Sequence, residues 1–317
     1  MSKSFVYISL VLIMMIWGLN VIAIKILVEH FSPVMLTSFR IFTAGIVVIL
    51  ILLFMGQLRK LTWKEVMYIG IAALFSVVVH HLFLALGLTK TTASNAGLIL
   101  GLIPLVTSVL AAIFLGNRLT VFRFVGIFFG FAGVAFVVLN GKSGIHHVSI
   151  GDFYVFLAVL SQAISFIMIK KATVDARVMT GWMLLFGSLL LFFISLWMEP
   201  NGLSSLAGGT PSLWMIFLAS AVFATALGHM FYNQAIQHIG AVESAIFINL
   251  NPLFSLLGAY LFLGESISHT QMIGFILIVL GVVLGSGVLD EIEVFTHRSK
   301  MMGKSVEKRS LWVSVFW

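Results

Sequence analysis

Long apolar stretches separated by short polar links run through almost the whole chain. Each stretch is about 20 residues long, the length that an α-helix needs to cross about 30 Å of hydrocarbon. The links carry helix breakers, as at Pro33 and in the stretch 199–202. The pattern predicts ten transmembrane helices, numbered here as spans 1 to 10: residues 5–28, 34–55, 66–86, 92–115, 122–139, 153–169, 180–198, 213–235, 241–263 and 271–289.

The composition indicates a protein that lies mostly within lipid. Of the 317 residues, 61% are hydrophobic and 9% are charged, whereas a soluble domain is nearer half apolar and a quarter charged. The chain has no cysteine, which excludes disulfides, thiolate metal sites and a catalytic thiol. No cleavable signal peptide is expected, because residues 5–28 are of span length and lack a small-residue cleavage site followed by a soluble domain.

One segment of the chain occurs twice. Residues 93–137 resemble residues 241–285, 148 positions later. The matched positions include prolines and glycines: Pro104, Gly116, Gly126 and Gly133 recur as Pro252, Gly264, Gly274 and Gly281. A fixed offset with matched helix breakers predicts two copies of one unit. In a chain this apolar, duplication is typical of a transporter.

The distribution of lysine and arginine predicts the orientation of the chain. The formal net charge of +7 does not indicate nucleic-acid binding, because basic residues of membrane proteins collect in cytoplasmic loops. If the N-terminus is inside, the inner side holds Lys3, Arg59, Lys60, Lys64, Arg118, Arg123, Lys170, Lys171, Arg177, Arg298, Lys300, Lys304, Lys308 and Arg309. The outer side holds only Lys90 and Lys142. Both termini are therefore predicted to be cytoplasmic, in a cell membrane.

The number of spans in each copy predicts how the copies are related. Because five is odd, the second copy enters the membrane from the opposite side. The predicted fold is thus an all-α polytopic membrane protein with ten transmembrane helices in two inverted five-helix repeats, residues 5–140 and 152–289, followed by a cytoplasmic tail at 290–317. Three Gly-x-x-x-Gly motifs, beginning at Gly97, Gly126 and Gly281, favour close helix contacts.

Several motifs of this chain resemble the EamA domain of the drug/metabolite transporter superfamily. They are Trp17-Gly18-Leu19-Asn20 and Ala23-Ile24-Lys25 in span 1, Arg40 in span 2, Ala85-Leu86 before span 4, Pro-x9-Phe-Leu-Gly in spans 4 and 9, and Gly-x6-Gly in spans 5 and 10. The resemblance covers about residues 5–289 and implies a ten-helix inner-membrane permease that exports metabolites or amino-acid-like compounds. One position departs from the family pattern: a glutamate follows Leu-Gly in the second copy, as Glu265, whereas the first copy has Asn117.

Two basic residues fall inside predicted spans, where charged side chains are costly and are candidates for function. At 1.5 Å per residue, Lys25 lies about 5 Å from the outer end of span 1 and Arg40 about 10 Å deep in span 2. Lys25 is expected to reach the outer interface along its flexible stem, with a substrate contact as the alternative. Arg40 is expected to face inward in a structural or a binding role, and in a binding role it would hold a carboxylate with two parallel bonds.

Polar groups near the middle of other spans form two sets. The first consists of Trp17 and Asn20 on span 1 and their counterparts Gln162 and Ser165 on span 6. The second consists of His80 and His81 on span 3 and His229, Tyr232 and Asn233 on span 8. Each set predicts either a cavity wall or hydrogen bonds between helices. Neighbouring helical residues face about 100° apart, so His80 and His81 do not suit one metal ion, and no metal site is expected.

Two prolines at mid-span are predicted hinges. Pro104 and Pro252 each remove a backbone hydrogen bond and should kink their helices. The freed carbonyls would meet a substrate or allow bending, and a purely structural kink is the alternative. Asn249 and Asn251, near the second proline, are candidate partners for these groups. Trp182 on span 7 is predicted to be either a cavity wall or a membrane-interface anchor.

The acidic residues all fall in links, tails or first helical turns. A buried carboxylate is the usual carrier of a proton or sodium ion in coupled transport. Its absence at mid-span predicts facilitated, gradient-driven passage, or coupling through groups that the sequence does not reveal.

The predicted function is therefore passage of a small molecule through the bilayer, by a monomer or homodimer without cofactor or nucleic acid. Arg40 and Lys25 favour anionic or zwitterionic metabolites, while the aromatic content favours aromatic amino acids or hydrophobic drugs, so multidrug efflux stays an alternative. An intramembrane enzyme is disfavoured because the chain has no His-Glu-x-x-His, Gly-x-Ser-x-Gly or phosphate-loop motif. A receptor would leave the repeat unexplained.

Overall fold

The computed structural model describes residues 3–116, 120–139 and 149–285. Every regular element in these ranges is helical, as the apolar pattern predicts. Asn117, Lys142, the end of predicted span 10 at 286–289 and the predicted tail at 290–317 lie outside the described residues.

The helices are numbered here in chain order, and several of them join through π or 3-10 turns into longer units. Their bounds are α1 Lys3–His30, α2 Pro33–Phe54, α3 Trp63–Ala73, α4 His80–Leu88, α5 Ala93–Leu100, α6 Ile103–Leu115, α7 Val121–Leu139, α8 Ile150–Lys171, α9 Ala176–Met198, α10 Gly202–Ser205, α11 Pro211–Ala219, α12 Gly228–Ile239, α13 Ala241–Ile246, α14 Leu250–Leu263 and α15 His269–Gly285.

The helical units make the chain a multi-pass membrane protein. Across the described ranges, eight units are long and apolar enough to cross a bilayer: Phe5–His30, Pro33–Phe54, Trp63–Leu88, Ala93–Leu115, Ile150–Lys171, Ala176–Met198, Pro211–Ile239 and Ala241–Leu263. Two shorter apolar helices, Phe124–Phe136 and His269–Gly281, lie where spans 5 and 10 are predicted.

Spans 4 and 9 are not the continuous helices that the apolar pattern predicts. Span 4 is interrupted at Gly101-Leu102, between α5 and α6, and span 9 has a 3-10 turn over Phe247–Asn249, between α13 and α14. Pro104 lies in the first turn of α6, where its missing N–H loses no helical bond. Pro252 is the third residue of α14. The prolines therefore begin new helices after an interruption, rather than kinking a helix at its middle.

Spans 3 and 8 each contain a π segment, a wider turn that the apolar pattern does not predict. The two segments are Leu74–Val79 and Ser220–Leu227. A wide turn leaves backbone groups outside the regular helical pattern, and side chains of the opposite copy satisfy two of the carbonyls. Trp17 Nε1 donates to the carbonyl of Ala224 at 2.8 Å, and Ser161 Oγ donates to that of Phe75 at 2.7 Å.

These irregular features recur at the offset of the sequence repeat. The π segments overlap when one copy is shifted by 148 positions, and Gly101 of the first interruption matches Asn249 of the second. Gly116 and Gly264, which match as well, end α6 and α14 with φ values of 72° and 65°. This left-handed conformation suits a residue without a Cβ atom. The duplication is therefore visible in the backbone as well as in the sequence.

Corresponding helices of the two copies pack against each other. The most extensive contacts in the described part of the chain join α7 to α15 and α2 to α9. In the first pair, Gly281 lies against the backbone of Gly126 and Gly130, with no room for a Cβ atom. In another contact, Gly97 packs against Ser255 of α14. The close helix approach that the glycine motifs predict is confirmed at these positions.

Two lysines close the C-terminal ends of helices. Lys25 Nζ donates to the carbonyl of Leu88, the last residue of α4, at 2.8 Å and to that of Thr91 just beyond the helix at 3.2 Å. Lys170 Nζ donates to the carbonyl of Gln237, at 3.2 Å, near the end of α12. A cation at a helix C-terminus is favourable because the last carbonyls carry partial negative charge.

Two glutamates close helix N-termini in the complementary way. Glu265 accepts the backbone N–H groups of Ala93 and Ser94 at 3.0 and 3.1 Å. Glu199 accepts two backbone N–H groups at the start of α2, at 3.0 and 2.8 Å. An anion at the positive end of a helix satisfies donors that have no partner within the helix. The glutamate that follows Leu-Gly in the second copy therefore caps a helix of the first copy.

Candidate functional site

A small cavity lies at the centre of the helical bundle, between the two copies. Its volume is about 60 Å³, which is room for a few water molecules. The lining residues lie near an interruption, near a π segment, or on α1 or α8. They are Trp17, Asn20, Val21, Ile24, His80, His81, Leu84, Leu100, Ile103, Gln162, Phe166, Thr225, His229 and Asn251.

The irregular helices explain why polar groups collect at this point. His80 and His81 begin α4 directly after one π segment, and Thr225 lies within the other. Ile103 and Asn251 lie next to the two interruptions. Departures from regular helix re-aim side chains and expose backbone groups, and in membrane proteins they are tolerated where they line a cavity.

Three histidines meet at the cavity. The ring centroids of His80 and His81 are 4.8 Å apart, and those of His81 and His229 are 5.7 Å apart. His80 Nδ1 donates to the carbonyl of Ala158 at 3.0 Å, and His229 Nδ1 donates to that of Thr225 at 3.1 Å. In the described ranges no group of histidine, cysteine or acidic side chains is arranged to hold a metal ion.

An aromatic group forms one side of the cavity. The Trp17 ring lies 5.0 Å from His229 and 4.9 Å from Tyr232, and Tyr232 lies 5.0 Å from Phe166. Tyr232 is fully buried behind the lining residues. This side of the cavity therefore offers ring faces and edges, on which a planar or apolar group packs well.

A network of hydrogen bonds that begins at Arg40 adjoins this aromatic group. Its Nη1 donates to Thr225 Oγ1 at 2.6 Å and to Ser220 Oγ at 3.2 Å, and Ser220 Oγ donates to Asn20 Oδ1 at 2.5 Å. Arg40 Nη2 lies 3.5 Å from His81 Nδ1. Arg40 is only 2% exposed, and it faces inward as predicted, one side chain behind the cavity wall.

Three polar atoms of the lining are buried without a hydrogen-bond partner. They are His81 Nε2, Gln162 Oε1 and Asn251 Oδ1. An unpaired buried polar atom costs about 1–3 kcal/mol, and water or a small polar ligand in the cavity would supply the missing bonds. Two are acceptors and one is a ring nitrogen, which is a suitable set for a small polar ligand.

The structure brings together about half of the residues that the sequence nominates for the site. Trp17, Asn20, His80, His81, Gln162 and His229 line the cavity. Lys25, Arg40, Ser165, Trp182, Tyr232, Asn233 and Asn249 do not.

The residues outside the lining have other contacts. Gln162 Nε2 donates to Ser165 Oγ at 3.4 Å within α8, and Asn233 Nδ2 donates to Thr180 Oγ1 at 2.9 Å between α12 and α9. The rings of Trp182 and Phe186 are in tilted contact, with centroids 5.4 Å apart. Asn233 thus fits the helix-bonding alternative, and Lys25 caps a helix, as described above.

Sequence reasoning missed Ser220 and Thr225, and it named Asn251 only as a partner for the backbone near Pro252 and not as a cavity residue. Asn251 had a usable signal, because it precedes Pro252 directly. Ser220 and Thr225 had none, since single hydroxyl residues are common in transmembrane helices and usually bond to their own backbone.

Comparisons with known proteins agree with this architecture. The model of the EamA-like transporter family matches the chain twice, at residues 4–139 and 149–287. The transporter YyaM of Bacillus subtilis (strain 168) is 33% identical over 275 residues, which cover 84% of this chain and 88% of YyaM. A chloroplastic WAT1-related protein of Arabidopsis thaliana is 27% identical over 267 residues, covering 81% of this chain and 64% of that protein.

A solved crystal structure has the same fold. It superimposes with a TM-score of 0.70 at 20% sequence identity and covers 92% of this chain and 100% of the other. The double family match and the relative that is 33% identical go further than the fold. The chain belongs to the EamA-like transporter family.

Proposed function

We propose that this protein is a cell-membrane permease that exports small polar metabolites of the amino-acid type by alternating access between its two copies. The observation that carries the proposal is the polar cavity at the junction of the copies, with unpaired atoms on His81, Gln162 and Asn251. A site placed there changes sides when the copies rock about it.

The helix-end contacts support an inverted arrangement of ten spans. Lys25 and its counterpart Lys170 perform the same capping role on corresponding helices. Lys170 is next to Lys171, which shares a groove with Lys64 at the start of α3, whereas Lys25 caps the far end of the same span. Equivalent caps at opposite ends of the bundle are the arrangement that an inverted repeat produces. The basic side chains around Lys64 then mark the cytoplasmic side, together with both termini.

The composition of the cavity supports a polar substrate with an apolar or aromatic part. Gln162 Oε1 and Asn251 Oδ1 would accept bonds from an ammonium or hydroxyl group, and Trp17 and Phe166 would cover a side chain. A multidrug carrier of purely hydrophobic compounds would gain nothing from these acceptors and would leave them unpaired. No carboxylate lines the cavity among the described residues, which supports passage driven by the substrate gradient.

Counterflow in proteoliposomes tests the proposal. The purified full chain is reconstituted, the vesicles are loaded with a mixture of unlabelled amino acids, and uptake of each labelled amino acid is followed. At least one should accumulate transiently and emerge chemically unchanged, even when the proton gradient is dissipated. Vesicles without protein serve as the control. Chemical conversion of the label, or no exchange of any amino acid, would overturn the proposal.

A further inference from the structure

The most unusual charge in the described part of the membrane region is that of Arg40. Arginine stays ionised in proteins, and here it is 2% exposed and about 10 Å along α2 from the helix start. Lys25, the other cation within a span, lies 3.2 Å from Glu29 and binds two helix-end carbonyls. Its charge is therefore compensated, which makes it a natural comparison.

No carboxylate of the described residues pairs with Arg40; its partners are neutral. Thr225 Oγ1 and Ser220 Oγ accept from Nη1 with their lone pairs, because their own hydrogens are donated to Ser220 O and Asn20 Oδ1. A buried charge without a counter-charge costs several kcal/mol, and within a bilayer such a residue usually marks a substrate path.

The guanidinium is one contact away from the cavity. Thr225 and His81 each touch Arg40 and each line the cavity. Since an arginine nitrogen can only donate, His81 Nδ1 accepts, and the N–H of the neutral ring is then on Nε2. That Nε2 is buried without a partner. Arg40 and His81 therefore place two donors next to the cavity. The Arg40 donor has acceptors in the protein, whereas the Nε2–H of His81 has none.

We propose that Arg40 is the specificity-determining residue of the cavity and that it pairs with a carboxylate of the transported substrate. The inference deepens the proposed function and rests on it. The planar guanidinium matches a carboxylate with two parallel bonds, and His81 Nε2–H supplies a further donor. The substrate thus brings the counter-charge that the protein lacks.

Substrate pairing at Arg40 also has a consequence for motion. Arg40 belongs to the first copy, while Ser220 and Thr225 belong to the π segment of the second copy. A carboxylate that takes over the Nη1 donors releases that π segment from α2. Occupancy of the site and separation of the two copies are in this way linked through one side chain.

Binding measurements on purified protein test the assignment without requiring transport. Three series of probes are compared near neutral pH by the shift in melting temperature and by quenching of tryptophan fluorescence: the common amino acids, their α-carboxamides and their N-acetyl derivatives. The carboxamide removes only the carboxylate, and the acetyl group removes only the ammonium. In the unmodified protein the best-binding acid should exceed its carboxamide by about tenfold or more in affinity.

Variants separate recognition from a structural role. Arg40→Gln should bring the preference for acid over carboxamide close to one, Arg40→Lys should retain part of it, and Lys25→Gln should leave it unchanged. If Arg40 only ties helices together, Arg40→Gln lowers the melting temperature but keeps the preference. That result overturns the proposal. Equal binding of acids and carboxamides by the unmodified protein also overturns it, and this measurement does not require that Arg40→Gln folds.

The outcomes also distinguish this proposal from the proposed function. Selective binding of carboxylates without counterflow would refute the permease and leave the Arg40 site standing. Counterflow with equal use of acids and carboxamides would refute the Arg40 site alone. N-acetyl derivatives that bind as well as the parent acids would keep the carboxylate site and exclude a role for the substrate ammonium.

Discussion

Side chains in the cavity of this transporter are kept polar at a cost to stability. Gln162 Oε1 and Asn251 Oδ1 are buried with no partner, and each unpaired acceptor loses its hydration without compensation. In the proposed site, a bound substrate supplies the bonds that these acceptors lack. The same atom then has opposite effects on folding and on function.

Replacing Gln162 by methionine should separate these two effects. The side chain keeps its length and loses both the unpaired acceptor and the long 3.4 Å bond from Nε2 to Ser165 Oγ, so the free energy of unfolding should rise by about 1 kcal/mol or less. Counterflow should fall by about tenfold or more, because the substrate loses a partner in the site. Unfolding is measured by denaturant titration in detergent and transport in proteoliposomes.

Thr107→Val is the matched control for that variant. Thr107 Oγ1 is likewise buried without a partner, but the residue does not line the cavity. Valine should stabilise the protein by a similar amount and leave counterflow intact. A loss of transport in both variants, or in neither, would contradict the assignment of Gln162 to the site.

The residues of the site were partly predictable from the sequence. His81 and His229 share the repeat offset, which is a signal that a sequence carries, and both line the cavity. Thr225 carries no such signal, because its importance comes from Arg40, a residue 185 positions away. A contact between distant residues follows from packing, which the local pattern of polar positions does not encode.

Helices were predictable as units, whereas their irregularities were not. The mostly apolar sequences of Leu74–Val79 and Ser220–Leu227 fit a regular transmembrane helix, because a helix buried in a membrane protein is apolar on nearly all of its faces. One π turn changes which residues face inward without changing composition. The interruptions were easier to predict, because Pro104 and Pro252 indicate a break in the helix. The sequence did not show that the break comes before each proline.

Packing between helices depends on missing side chains at a few positions. Adding a Cβ atom at Gly281 should force α15 away from the backbone of Gly126 and Gly130. Gly281→Ala is therefore expected to lower the free energy of unfolding by about 1–3 kcal/mol, measured by denaturant titration in detergent.

Gly70→Ala provides the comparison within a helix of the same protein. Gly70 lies in α3 and a Cβ atom there would meet nothing within 4 Å. Alanine has the higher helix propensity, so this variant should gain about 0.5–1 kcal/mol. If the two variants change stability in the same direction, the contact between α7 and α15 is not as tight as described.

At the scale of the whole molecule, the chain combines symmetric scaffolding with an asymmetric charge. The capping lysines, π segments and interruptions recur in both copies. Arg40 does not, because α9, the helix that corresponds to α2, has no lysine or arginine after Arg177. The features that recur in both copies could therefore be located by comparing the two copies. Arg40 has no counterpart, so its role could not be inferred in this way.

The orientation of the chain gives a prediction that the absence of cysteine makes easy to test. Single cysteines at Lys64 and Lys171 should react with a membrane-impermeant maleimide only after the cell membrane is opened. Cysteines at Lys90 and Ser204 should react in intact cells, because these exposed positions fall on the predicted outer side. The unmodified chain gives no background.

Lys64 and Lys90 belong to the first copy, and Lys171 and Ser204 belong to the second. If both positions of one copy were labelled from the sides opposite to those expected, the topology proposed for that copy would be reversed. Reaction of Lys64 and Lys171 variants from different sides would mean that the two copies are not inverted. A uniform reversal of all four positions would keep the inverted repeat and place both termini outside the cell.

The shared π segments also bear on how this chain arose. An extra residue found at equivalent places in both copies, in Leu74–Val79 and in Ser220–Leu227, is older than the gene duplication that copied it. The ancestral single unit thus already had its widened turn and its broken helix. Arg40, present in one half only, records a change after duplication.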